Sequence, residues 1–391
     1  MTARLRVAVV GVGRWGYNLA KSLAQIETCE LATLCDSSLA RLEEVARELK
    51  PANASEHFDD VLGDDIDAVV IATPPESHAR LARLAVNAGK HVFVEKPLAT
   101  SLADGLELQQ VARAANRVVM AGHLLRFHGG VSSLRNLVSS GELGRVELMA
   151  SRRLGWRAAD RCGPWWSLAP HDLSVLRGCL AAEPLRVAAA AALEGAPISW
   201  NPVRSWLSSG PGSQRPTARC PIRVTALCEF PLSVATLVDV GLLDNSKIRK
   251  VVAVGRRAIA RFEDGDHGGV WIKSTPRHVV WPDLPQGDDV FTVEEADRIL
   301  DTLDDMTAKG EPWTLVDSNW PEPLGLEMRQ FVAACENPDL AHLEIEDAVA
   351  TLRALEAGSR SMRDGGRSVW VQPRSKPPEA LYEEPSRPSQ L

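Results

Sequence analysis

The sequence predicts an α/β protein: a doubly wound parallel sheet first, then an α+β domain with a large, open, mainly antiparallel sheet. Three observations carry this. Over residues 1–123, short apolar runs alternate with helical patterns, as expected when each crossover helix returns the chain to a parallel strand. A glycine-rich turn follows the first apolar run directly. After residue 123 the β-rich runs lose their intervening helices, which favours antiparallel pairing.

The elements follow in order. Leu5–Val10 is a β-branched run suited to burial on both faces. Gly11-Val-Gly13-Arg14-Trp15-Gly16 then opens a helix reaching Leu23. Glu30–Cys35 reads as a second strand ending at Asp36. Leu39, Leu42, Val45, Ala46 and Leu49 recur at helical spacing. Asp67–Thr73 is a third strand, closed by Pro74-Pro75; Glu76–Ala88 is helical, with Gly89 placed as its cap. His91–Val94 is a strand, Ser101-Leu-Ala-Asp104 a capping box for a helix to Asn116, and Val118–Ala121 a strand. The second domain, 124–371, starts with a helix over Gly130–Ser139 and a strand over Arg145–Arg153. Further strands are expected at Arg186–Leu193, Ile222–Phe230, Val234–Val240, Lys250–Val254 and Ala258–Phe262, and helices at Val293–Lys309, Leu326–Cys335 and Ile345–Arg363. Trp200–Cys220 reads as an exposed insertion, and the proline-rich end, residues 372–391, as a disordered tail.

Composition narrows the function. The chain has 391 residues, 45% hydrophobic and 24% charged, with a net charge of −7, so nothing favours nucleic acid or an anionic membrane as partner. No apolar run approaches the ~20 residues of a membrane helix. The apolar start is broken by glycines and Arg14 and lacks a small-residue cleavage site, so it reads as a first strand rather than a signal peptide. Seven cysteines, with no C-x-x-C pair and no zinc quartet, fit buried thiols in a reducing cytoplasm, with no metal.

The glycine-rich turn points to a dinucleotide. Gly11 allows the tight turn, Gly13 lets the backbone approach a pyrophosphate, and Gly16 lets the helix pack on the sheet; the helix N-terminus then offers free N–H groups. Asp36, twenty residues after Gly16, can accept from both hydroxyls of a ribose and would repel a 2′-phosphate, so NAD is favoured over NADP. Arg41 lies near enough to soften that preference. Tyr17-x-x-x-Lys21 imitates a phenol-based catalytic pair, but it sits inside the first helix, beside the phosphates. The chain has eleven tryptophans and only two tyrosines, Tyr17 and Tyr382, so proton transfer has to fall to other side chains.

Glu95-Lys96-Pro97 follows the His91–Val94 strand, at the carboxyl edge where parallel sheets bind ligands. Together with the glycine turn, Asp36, Ala72-Thr73-Pro74-Pro75-x-x-His78, Gly122-His123 and Trp166-Ser167-Leu-Ala-Pro-His171-Asp172, this resembles the Gfo/Idh/MocA family of sugar and inositol oxidoreductases over nearly the whole chain to Val371. The Trp166–Asp172 stretch resembles a branch of nucleotide-sugar dehydrogenases. The resemblance implies a Rossmann domain binding NAD and an open second sheet that carries substrate and packs against another subunit in a homodimer or homotetramer. It implies that Lys96 lies between nicotinamide and substrate, that Pro97 follows a cis peptide bond, and that His171 acts with Lys96 as acid/base. Gly11, Gly13, Arg14, Trp15, Gly16, Asp36, Thr73, Pro74, His78, Glu95 and Lys96 would then line the cofactor. The family's aspartate four residues before the histidine is replaced by Ser167, which can bond a hydroxyl but carries no charge.

A secondary alcohol giving up a hydride also needs a base for its proton. A free lysine has a pKa near ~10.4, and bringing it to ~7.5 takes roughly 4 kcal/mol, a shift that burial and a neighbouring cation favour. His123 is equally compatible with the site and with the core. Arg126, His128, Arg152, Arg153, Trp156 and Arg157 flank the expected pocket, and Trp156, Trp165 or Trp166 could stack a sugar or a base. Lys96, His123, Arg126, Arg153, Trp156, Ser167 and His171 are therefore the substrate-side candidates. The expected substrate is a nucleotide-activated hexose or amino-sugar oxidised at a ring carbon, plausibly C3. The alternatives are a keto-sugar reductase or inositol-type dehydrogenase on the same site, and a non-catalytic member that senses NAD or a sugar.

Overall fold

A computed structural model describes residues 4–155, 163–193, 221–242, 247–265, 268–276, 289–337 and 341–371. Six parallel strands form the N-terminal sheet: β1 (Leu5–Val10), β2 (Cys29–Cys35), β3 (Asn53–Ser55), β4 (Ala68–Ile71), β5 (His91–Glu95) and β6 (Val119–Gly122). Their spatial order is β3-β2-β1-β4-β5-β6, so the strand order reverses between β1 and β4. A crevice opens at such a reversal, beyond the carboxyl ends of the strands. The crossovers are α1 (Arg14–Leu23), α2 (Leu39–Leu49), α3 (Pro75–Asn87) and α4 (Leu102–Ala115). β4 is shorter than the sequence suggests, because Asp67 is held by the Arg6 guanidinium at 2.8 Å and Thr73 already belongs to the next turn. β3 has no β-branched residue and pairs only along the sheet edge, with Thr33–Cys35. Ser101 caps α4 by accepting from Asp104 N, but the reciprocal bond of a capping box is replaced by the Ser101 hydroxyl donating to the Asp104 carboxylate at 2.6 Å.

The second sheet has nine strands in the order β14-β13-β12-β11-β7-β10-β9-β8-β15. They are β7 (Val146–Leu154), β8 (Arg186–Leu193), β9 (Pro221–Phe230), β10 (Val234–Gly241), β11 (Ile248–Gly255), β12 (Ala258–Glu263), β13 (Gly269–Ser274), β14 (Thr314–Asp317) and β15 (Val369–Trp370). Every pairing is antiparallel except β7 with β10. Its helices are α5 (Gly129–Ser139), α6 (Gly163–Leu180), α7 (Val293–Ala308), α8 (Pro323–Glu336) and α9 (Ala341–Arg363). None of the helices among the described residues is long and apolar enough to cross a membrane. The expected insertion at Trp200–Cys220 and the tail at 372–391 lie outside the described residues.

Alternation along the strands divides the core. Met149, Ala189, Ala226, Val238 and Ala253 face α6 and α9, where Trp165 is fully buried and donates from Nε1 to the Leu355 carbonyl at 2.9 Å. Leu148, Ala190, Leu237, Val252 and Ile259 face the other way and meet Ala296, Ile299, Leu300 and Leu303 of α7. The chain's own helix α7 packs on this outer face. Asp304 of α7 pairs with Arg152 at 2.9 Å and Lys250 at 2.8 Å, and Asp297 with Arg223 at 2.8 Å. Lys273 donates to the carbonyls of Met306 and Thr307 at 2.8 and 3.0 Å, capping the negative end of the helix.

The two domains share their cores. Leu324, Met328, Phe331 and Val332 of α8 join Val7, Val9, Leu19 and Leu23 on one face of the N-terminal sheet, with Phe331 edge-on to Phe93 at 5.7 Å. Val349 and Leu352 of α9 join Leu108 and Ala112 of α4 on the other. Replacing Leu300 by Ala is expected to cost roughly 2–4 kcal/mol in denaturant unfolding, as for other core truncations. A loss within error of zero would show that α7 is not part of the folded core.

Candidate active site

The glycine turn is built as the sequence suggests, and each glycine answers a different demand. Gly11 has φ +85°, and a Cβ there would sit 2.8 Å from the Ala72 backbone. A Cβ on Gly16 would fall 1.8 Å from the Gly11 carbonyl oxygen. A Cβ on Gly13 would meet nothing within 4 Å. The fold therefore needs the first and third glycines, whereas the second keeps open a space outside the chain, at the N-terminus of α1, as a bound pyrophosphate would require. The residues present fit a dinucleotide. Arg14 and Trp15 start the helix and are exposed. Asp36 accepts from Val12 N at 2.7 Å and Ser38 N at 2.9 Å, which fastens the turn to the end of β2 and leaves its remaining lone pairs for a ligand. Arg41 donates to the Val12 carbonyl at 2.9 Å and pairs with Glu44 at 2.7 Å. Tyr17 does meet Lys21, at 3.3 Å, but its hydroxyl donates to Glu48, away from β5.

At the ends of β4 and β5, His78 is buried with its ring nitrogens 2.8 Å from the Thr73 and Pro97 carbonyl oxygens. The Thr73 hydroxyl meets Ser77 at 2.6 Å, and Pro74 precedes α3. The Lys96–Pro97 peptide bond is cis, as the resemblance implies. The Glu95 carboxylate receives the Trp15 indole N–H and the Lys96 amide, the latter at 3.1 Å. Burial pushes the Glu95 carboxyl up to about 7 against the opposing pull of Lys96. The Lys96 side chain reaches across to the second domain and donates from Nζ to the Ser167 carbonyl at 3.0 Å.

Pro170 lies inside α6 and offers no N–H to the Trp166 carbonyl four residues earlier, in the turn beside the Ser167 carbonyl. The Ser167 hydroxyl donates to Gly163 O of its own helix. His171, one turn on, has a buried Nδ1 without a hydrogen-bond partner. Burial drives its pKa well below the ordinary value, and the charges of Lys96 and Arg153 act in the same direction, so the ring is a neutral acceptor. Asp172 points away: it takes the Arg153 guanidinium at 3.0 Å and the Ser151 hydroxyl at 2.5 Å.

The remaining candidates divide. His123 is buried, its Nδ1 has no partner, and burial pushes it down to about 4. Arg126 is held by Asp347 at 3.0 Å and Glu344 at 3.3 Å, and Arg153 by Asp172. Trp156 and Arg157 lie outside the described residues. Three expectations are corrected. Trp165 cannot stack a ligand, because it is fully buried between α6 and α9. Arg152 lies on the outer face, bound to Asp239 and Asp304. His128 caps α5 and packs on Phe262 and Trp320, each at 5.0 Å. One residue escaped the sequence reading. Glu327 on α8 is fully buried, both carboxyl oxygens lack partners among the described residues, and burial with the nearby Glu95 charge pushes its pKa well above the ordinary value. In sequence it looks like any glutamate on a helix.

Two outcomes follow from this geometry. Gly13→Ala should leave the unfolding midpoint nearly unchanged yet weaken dinucleotide binding at least tenfold, whereas Gly16→Ala should destabilise the fold; equal binding by Gly13→Ala and the parent chain in a fluorescence titration would contradict the cradle. Glu95 ionises near 4.5 when unfolded and near 7 when folded, so the unfolded chain sheds the proton first and native stability falls as pH rises from about 4.5 to about 7. In Glu95→Gln this falling component should vanish from denaturant midpoints measured against pH.

Residues 5–123 match the model of an oxidoreductase family with an NAD-binding Rossmann fold. The chain is 33% identical over 161 residues to an uncharacterised oxidoreductase of Streptococcus pneumoniae, covering 41% of this chain and 43% of that one. It is 35% identical over 147 residues to the scyllo-inositol 2-dehydrogenase (NAD(+)) of Bacillus subtilis, covering 37% and 43%. The chain thus spans less than half the length of these curated relatives. In fold it resembles the aldose–aldose oxidoreductase of Caulobacter crescentus, with a TM-score of 0.72 at 18% identity, over 94% of this chain and 99% of that one. The glycine turn and the Glu95-Lys96-Pro97 strand end both lie within residues 5–123, so it is the N-terminal domain that matches the Gfo/Idh/MocA oxidoreductase family.

Proposed function

We propose that the chain is an NAD-dependent oxidoreductase that interconverts a secondary alcohol and a ketone on a sugar or polyol. The observation that carries this reading is the Lys96–Ser167 contact. It brings the ammonium of the cofactor domain to within one helical turn of His171 in the second domain, above a turn whose Gly13 leaves room for a dinucleotide. Nicotinamide, when bound, accepts or returns the hydride.

The protein's own groups handle the proton and the orientation. Lys96 takes the hydroxyl proton during oxidation and supplies it during reduction; His171, neutral and with Nδ1 unpartnered, receives or returns it next. Glu95 is held by Trp15 at the crevice floor, where it can accept from a ribose hydroxyl. Asp36 supports NAD over NADP, since a 2′-phosphate would meet its charge. Ser167 spends its hydroxyl hydrogen on Gly163 but keeps lone pairs to accept from a substrate hydroxyl.

A nucleotide-activated hexose or amino-sugar, oxidised at C3, is the substrate class we propose. Its phosphates would need cations, and both Arg126 and Arg153 already have carboxylate partners. That observation favours a second reading, an inositol-type dehydrogenase or keto-sugar reductase acting on a neutral substrate. We propose that the chain works in the cytoplasm as a homodimer or homotetramer, with the α7-covered face inside each protomer. Reduced-nicotinamide absorbance with a panel of UDP- and dTDP-sugars, inositols and keto-sugars separates the two readings. Lys96→Ala should lower kcat by ~10²–10⁴-fold while NAD still binds; near-normal turnover would remove Lys96 from the chemistry.

A further inference from the structure

His78 makes two contacts that one neutral imidazole cannot satisfy. Nε2 lies 2.8 Å from the Thr73 carbonyl oxygen and Nδ1 lies 2.8 Å from the Pro97 carbonyl oxygen. A carbonyl only accepts, and a neutral ring offers one N–H and one lone pair. Both bonds exist together only when both nitrogens carry protons. With one proton gone, a lone pair faces a lone pair at bonding distance, and one contact has to open. The ring is 1% exposed, so water does not relieve it.

The two carbonyls matter for where they lie. β4 and β5 are paired in register as far as Ile71 and Val94, and beyond that the ladder stops. Thr73 belongs to one crevice loop and Pro97 to the other, directly after Lys96. The imidazole bridges this gap, joining a cofactor-side loop to the turn that aims Lys96.

We propose that His78 is a positioning residue that ties the Thr73 and Pro97 loops together while its ring is doubly protonated and releases one of them when a proton leaves. Burial is the largest influence and holds the His78 pKa below its ordinary value, with Lys96 on the facing turn acting the same way, against the two backbone acceptors and Glu76 in the first turn of the same helix, which favour the charged ring. The bridge is therefore complete at acid pH and loses one arm as pH rises. Its consequence for Lys96 rests on the oxidoreductase reading above; the bridge itself does not.

The test uses the full chain without cofactor or substrate. Ring-nitrogen NMR of His78 from pH 5 to 8 should show both nitrogens protonated at the acid end and one bare at the other. The amide of Leu98, bonded to the Pro97 carbonyl carbon, or the Thr73 carbonyl carbon should shift with the same midpoint. In His78→Gln, which cannot titrate there, that shift should be lost. A ring that stays one neutral tautomer throughout, or one that titrates while both carbonyl signals stay fixed, overturns the proposal. If His78→Gln does not fold, the parent chain's titration still decides. A positive titration in a protein that turns over no alcohol would leave the bridge standing and remove the oxidoreductase reading instead.

Discussion

A parallel sheet must be covered on both faces, and the first four helices of this chain do not complete the task. The interior strands β1, β4 and β5 are apolar through their thickness, with Val7–Val10, Val92–Val94 and all four residues of β4 buried. The second domain finishes the cover, sending α8 against α1 on one face and α9 against α4 on the other. That requirement draws the two domains together along the carboxyl edge of the first sheet. Lys96 at the end of β5 can then reach the Ser167 carbonyl of α6, one turn before His171, although the two are far apart in the chain. The crevice is a by-product of keeping the sheet dry.

Enclosure also sets the charge state of what lies there. Desolvation raises the acids Glu95 and Glu327 and lowers the bases His123 and His171, so each is moved towards its neutral form. The charged groups nearby are mostly paired: Arg126 and Arg177 share Asp347, and Arg153 holds Asp172. Against that background the ammonium of Lys96 donates to the Ser167 backbone carbonyl. A carbonyl holds the side chain in place without fixing its charge as firmly as a carboxylate would.

The glycine turn, the strand ends and the Trp166–Asp172 motif that holds His171 were legible in the sequence, because each is encoded over a few neighbouring residues; the helix α6 that carries the motif was not among the expected elements. Gly11 and Gly16 have steric jobs that only glycine performs, and β4 announces itself by an unbroken apolar run. What could not be read depends on distant partners. Arg152 and Arg153 are adjacent in sequence but face opposite sides of the sheet, one towards Asp304 and the other towards Asp172. Trp165 looks like a ligand platform until α9 closes over it. Glu327 has no local signature, and β3, β14 and β15 are short edge strands whose existence rests on the neighbour they pair with.

The position of α7 in the chain has a bearing on synthesis. The apolar outer face of β7–β12 is made from Val146 onwards, but the residues that cover it run from Phe291 to Met306. As the chain emerges from the ribosome, Leu148, Leu237, Val252 and Ile259 exist well before Leu300 and Leu303 are joined to it. For that interval none of the described residues that cover this β-rich apolar surface has been made, and it is the kind of surface on which chains stick to one another. Expression yield should therefore depend on translation speed and chaperone supply over this stretch more than on the stability of the finished fold.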